Sequence, residues 1–191
     1  MKRFIAQIIA ALMLCSTCLG YSDLSEGMWT MSSGEACTGV YGWASMAATE
    51  QTATAYQAVA IKRVVNCSAT SGTFNSWLGN ASGTSKTWLA IIARDSGGVP
   101  GTVVWRSSAQ TISASSSVAL RSVAFTADIT SGTYHFIVFE NTGTSSVLQW
   151  MYTASSGAAK HVASSSVASL SDLSSLSWLD TTSERSINVT F

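Results

Sequence analysis

Charge is what this sequence has least of. Only 10% of its 191 residues are Asp, Glu, Lys or Arg, against roughly a quarter in ordinary domains. The ten basic side chains are matched by ten acidic ones. No basic cluster is left to neutralise a phosphate backbone, so nucleic acid is excluded as a partner. Histidine occurs twice, at His135 and His161. Serines are so abundant that one beside either histidine carries no information, and no G-x-S-x-G elbow is present. The acidic residues stand singly, so no pair can be nominated for glycoside hydrolysis. A catalytic role is therefore not expected. Proline occurs once, at Pro100, which excludes a proline-rich linker. No stretch carries a long helical apolar stripe.

Hydroxyls and apolar side chains fill the space that charge leaves. Ser and Thr make up roughly three residues in ten, well above ordinary usage. Hydrophobic residues reach 47%, enough to build a real core in one domain. A surface wetted by hydroxyls suits extracellular β proteins, and its low charge also favours self-association.

Residues 1–20 read MKRFIAQIIAALMLCSTCLG. Lys2 and Arg3, then an apolar run from Phe4 to Leu14 too short to span a bilayer, then small residues, form a secretory signal peptide. Cleavage is expected after Gly20. The residues before Cys15 and Cys18 fit a lipidation box poorly, and anchoring through either cysteine stays open. Removing Lys2 and Arg3 takes the 10 basic side chains to 8 against 10 acidic. No transmembrane segment remains in the mature chain. Of the four cysteines, Cys37 and Cys67 survive. An even pair in an exported protein reads as a disulfide, closing a loop of about 30 residues. Two buried thiols are the alternative. Neither cysteine has a partner at metal-ligand spacing.

The chain divides into the signal peptide (1–20), an N-terminal strand or arm region (21–55) and a β domain (56–191). The centre of the domain runs from Thr87 to Phe139, where four apolar runs are joined by Gly-, Pro- and Ser-rich breaks. Trp88 to Ala93 is apolar throughout, so both its faces are expected to be covered. Tyr134 to Phe139 is the same apart from His135. Residues 68–86 read as a long Ser/Gly/Asn loop from which Phe74, Trp77 and Leu78 dip back. Residues 154–177 are Ser- and Ala-rich, with weak apolar spacing at Val162, Val167, Leu170, Leu173 and Leu176. In all, about seven to nine short strands at regular spacing predict an all-β fold. The expected architecture is a two-sheet antiparallel β-sandwich of jelly-roll type, with an immunoglobulin-like sandwich as the alternative.

Three stretches, DSGGVPG (95–101), SGTYHFIVF (131–139) and SERSINVTF (183–191), resemble a jelly-roll module of bacterial secreted and cell-surface proteins and phage virion proteins. His135 stands where that module often has Trp. The resemblance covers about Tyr56 to Phe191. It implies an accessory or display domain, with no catalytic residues to carry over.

Aromatics are the suggestive surplus, with seven tryptophans. Exposed aromatic rings stack on the C–H faces of sugars. Trp88, Trp105 and Trp178 belong to apolar strands and read as core. Trp77 is the better candidate for exposure. Leu148, Trp150 and Tyr152 share one strand face, which either packs in the core or presents a two-aromatic platform. The expected ligand-binding residues are therefore Trp77, Trp150 and Tyr152. The partner is a glycan or cell-surface component, with self-association also open. No cofactor is expected. A structural calcium would need turn carboxylates such as Asp95 and Asp128, but these lack a dense ligand loop and read as plain turn residues. The sequons at Asn66, Asn80 and Asn188 matter only in a eukaryotic secretory pathway.

Overall fold

A computed structural model describes residues 36–191 apart from 44, 48 and 144–147, with the backbone alone for 49–51 and 153–158. The leader, Cys15, Cys18 and residues 21–35 lie outside the described residues. Those described form twelve strands: β1 Val40–Gly42, β2 Thr49–Thr52, β3 Gln57–Val65, β4 Ala69–Asn80, β5 Lys86–Ser96, β6 Val99–Arg106, β7 Gln110–Ile112, β8 Ser116–Ile129, β9 Gly132–Glu140, β10 Leu148–Ala163, β11 Leu179–Arg185 and β12 Ile187–Thr190. One 3₁₀ turn, Ser165–Ala168, follows β10.

The fold is all-β and antiparallel, as the strand periodicity predicts. The order is β1-β12-β4-β10-β3-β9-β5-β6, with β8 on β4, β7 on β5, and β2 and β11 on β10. This agrees with a sandwich, but hydrogen bonds join all twelve strands into one network rather than two separate sheets. The link is β10. Its start pairs with β4 through Leu148–Trp150, and its end pairs with β3 through Ala159–Ala163. Strands that bend in this way turn the corners of sandwiches.

The principal core is built from alternate residues. Val59 and Ile61 of β3, Trp88, Ala90 and Ile92 of β5, and Tyr134, Phe136 and Val138 of β9 meet Phe74 and Leu78 of β4 and Ile187 and Val189 of β12. Over residues 58–61 of β3, 89–93 of β5 and 135–139 of β9, the intervening residues do not face water either. Ala58, Ala60, Leu89, Ile91, Ala93, Ile137 and Phe139 form a second cluster with Val162, Val167, Leu173 and Trp178. The segment after β10 is thus a strap across the back of the central strands. That explains why β5 and β9 are apolar on both faces while β8 and β4 alternate. Val167 and Leu173 of the Ser-rich spacing are fully buried. The strap is fastened by Trp178 Nε1 donating to the Leu173 carbonyl at 2.9 Å and by Arg106 Nη2 donating to the Val167 and Leu170 carbonyls.

Cys37 and Cys67 form the expected disulfide, with Cα atoms 5.0 Å apart. It ties the chain entering the domain to the turn between β3 and β4. Within the region expected as strand or arm (21–55), β1 pairs with β12 and β2 with β10. One expectation changes. Residues 69–80, expected mainly as loop, are a full strand. Its Gly and Asn residues have weak strand propensity, but neighbours on both sides supply ladders. At Gly72 a side chain would lie 2.7 Å from the Phe125 ring, so a residue typical of loops is required by close packing here.

Candidate functional site

Trp77 is half-buried and lies on β4, not in a loop. On this strand Phe74 and Leu78 point into the core. Asn75 and Trp77 alternate with them and face outward. Register places Asn188 of β12 and Ser122 of β8 beside Asn75, Thr190 and Ala124 beside Thr73, and Leu120 beside Trp77. Three strands therefore present one face. It carries a hydroxyl rung, an amide rung, and an aromatic–aliphatic rung whose Leu120 is 51% exposed.

The amide rung is held rigidly. Asn75 Nδ2 donates to Asn188 Oδ1 at 2.9 Å, and Ser122 Oγ donates to Asn75 Oδ1 at 2.6 Å. Asn188 Nδ2 donates to the Trp43 carbonyl at 2.6 Å. Asn188 reaches it across Gly42, where any side chain would overlap the β12 backbone. Fixed amides beside exposed Ser122 and a half-buried indole form a flat, uncharged, hydrogen-bonding surface. Such a surface can stack against an apolar ring face while exchanging hydrogen bonds with hydroxyls. The period-two spacing of Asn75 with Trp77 and of Asn188 with Thr190 was readable in the sequence. That the two rows lie side by side follows only from strand order.

Trp150 and Tyr152 do not join this face. Trp150 is 1% exposed, which corrects the expectation of an open two-aromatic platform. Its side chain belongs to the core face of β10, beside Leu148. Both rings instead hold the buried guanidinium of Arg185, 4.7 Å above Trp150 and 5.3 Å above Tyr152. Burial pulls the Arg185 pKa down to about 10. The neighbouring Glu184 is taken by Arg63 at 2.6 Å.

His135 is buried on β9, and its Nε2 lies 2.7 Å from Asp95 Oδ1. Burial lowers the His135 pKa, against the raising effect of Asp95. Burial pushes the Asp95 carboxyl up, but the hydrogen bond from His135 and that from the Gly98 amide hold it below the usual range. His135 Nδ1 has no partner among the described residues, so the His–Ser contact of a triad is not made there. An open cavity of about 630 Å³ lies at one end, lined by Cys37, Ser68, Ile129, Phe191 and others. Asp128 is the one side-chain carboxylate at its wall among the described residues, where glycoside hydrolysis uses two. No group of three His, Cys, Asp or Glu side chains converges among the described residues. The sequon residues Asn80 and Asn188 are buried and hydrogen-bonded.

The chain matches no family model, no curated protein and no solved structure.

Proposed function

We propose that this is an exported, non-catalytic β-sandwich module that binds carbohydrate at a cell surface or in a matrix. The binding surface is the outer face of β4, β8 and β12, with Trp77 as the stacking ring and Asn75, Ser122 and Thr190 as hydrogen-bonding groups. The observation that carries this reading is the hydrogen-bonded row Asn188–Asn75–Ser122 lying one rung from a half-buried tryptophan. The disulfide is compatible with an extracellular setting. No helix among the described residues is long and apolar enough to cross a membrane.

The test is a glycan-array and polysaccharide pull-down screen with the wild-type protein, Trp77→Ala and Asn75→Ala. Binding weakened at least about tenfold by either substitution, a loss of about 1.4 kcal/mol, supports the assignment, provided the fold is intact. Binding that both variants retain moves the site elsewhere. No binding across a broad panel removes the glycan reading. The second reading is a structural subunit of an extracellular assembly, favoured by the long edge of β8, which has no backbone partner among the described residues.

A further inference from the structure

Edges of β-sheets are sites of unwanted pairing, and proteins guard them. Most edges here are guarded. At β6, the strap supplies an extra rung: Val103 N donates to the Ser171 carbonyl, and Leu173 N to the Gly101 carbonyl. At β1 and β7 the edge strands are three residues long. At β11 the strand is charged, and the register with β10 is broken by a bulge. The exception is β8. It runs for 14 residues and pairs only with β4, in unbroken register over residues 119–126 and with a shift towards each end. Its other edge has no backbone partner among the described residues.

The sequence of β8 leaves that edge open. SSVALRSVAFTADI has no Pro and no Gly, and its charged residues are Arg121 and Asp128. Arg121 is turned back on its own sheet, with Nε donating to the Leu78 carbonyl at 3.4 Å. Ala119, Ser122, Ala124 and Thr126 are exposed and too small to block an incoming strand.

We propose that β8 pairs edge to edge with β8 of a second copy of this chain, in antiparallel fashion about a two-fold axis perpendicular to the sheet. The partner must be extended, of similar length and nearly uncharged, and an identical strand meets all three conditions. The small net charge, 8 basic against 10 acidic side chains once Lys2 and Arg3 are removed, leaves little long-range repulsion between copies. Fourteen residues at about 3.4 Å span about 48 Å, in a layer about 10 Å deep. Pairing then buries about 950 Å² over both copies, at the lower limit of specific interfaces, which is ~1,000 Å². The dimer therefore forms at high concentration and dissociates on dilution. The axis keeps the same face of both sheets on one side, so the β4 and β8 outer faces of the two copies become continuous, doubling the number of Trp77 rungs. The pairing itself does not depend on what that face binds.

Sedimentation of the purified protein between about 1 and 500 µM, a range bracketing an interface of this size, tests the proposal. The expected result is a rise from one to two chain masses. Ala119→Lys and Ala124→Lys together put a positive charge on each face of the edge in both copies, and dimerisation should weaken at least tenfold. Amide hydrogen exchange over 116–129 supplies a second readout on the unmodified protein, with protection rising as concentration rises. A single chain mass throughout overturns the proposal. So does a lysine variant that dimerises like the parent, or exchange at 116–129 that is independent of concentration. Trp77→Ala should leave sedimentation unchanged, which separates this test from that of the binding face.

Discussion

If the strap covers the back of the central strands, removing its anchor must cost what a core residue costs. Trp178 is 9% exposed and closes on Leu89, Ile91, Ile137 and Phe139 within the second cluster. A buried Trp removes about 150–250 Å² from water. At about 25 cal/mol per Å² that is about 4–6 kcal/mol, and Trp→Ala substitutions in cores cost about 3–5 kcal/mol. We expect Trp178→Ala to lose about 4 kcal/mol, a large part of the 5–15 kcal/mol typical of a domain. Trp178→Phe keeps most of the apolar body and removes the indole hydrogen bond, leaving the Leu173 carbonyl only the Leu176 amide at 3.2 Å, and should cost about 1 kcal/mol. Urea unfolding gives both values. Hydrogen exchange should also show the β5 and β9 amides losing protection in the Ala variant. A loss under about 1 kcal/mol for Trp178→Ala would falsify the description of the strap as core.

The remaining expectations concern other parts of the fold. Reducing the Cys37–Cys67 bond, with its sequence separation of 30, should lower stability by about 3–4 kcal/mol on the chain-entropy model. An unchanged urea midpoint after verified reduction would contradict this. Buried His135 has its pKa lowered, so the folded state holds it neutral. Its contribution is present above the unfolded value of about 6.5 and is lost as pH falls below it towards the folded value. His135→Gln should flatten the stability profile below about pH 6.5, and a profile as steep as the parent's would refute this. Gly143 has a φ of +72°, and a side chain there would overlap the Tyr56 hydroxyl. Gly143→Ala should therefore cost at least about 1 kcal/mol, and Tyr56→Ala in the same chain should recover part of it. Thermal melts of the two variants decide the point.

Much of the fold was legible because the rules behind it are local. Apolar runs at Trp88–Ala93 and Tyr134–Phe139 told of strands covered on both sides, and two cysteines told of their bond. The binding face was legible only in part. Trp77 could be singled out as a ring outside the apolar runs. Its neighbours could not, because Asn188 is far from Asn75 in sequence and meets it only through β12–β4 pairing. Trp150 and Tyr152 misled for a related reason. Period-two spacing puts them on one face but does not say which face turns inward. That was decided by Leu78 packing beside Trp150 and by Arg185 closing over both rings.

The sequence by itself determined the class of the protein: all-β, hydroxyl-rich, nearly uncharged and disulfide-bonded. Alternation, turn residues and composition act over a few positions and need no partner. The tertiary structure decided which weak segments became strands or covers. The Ser-rich stretch after β10 gains its form by burying Val167, Leu173 and Trp178 against a sheet already built. The Ser- and Gly-rich β4 gains its form from neighbours on both edges. In each case the stabilising contacts come from residues far away in the chain, and such contacts leave no local signal to read.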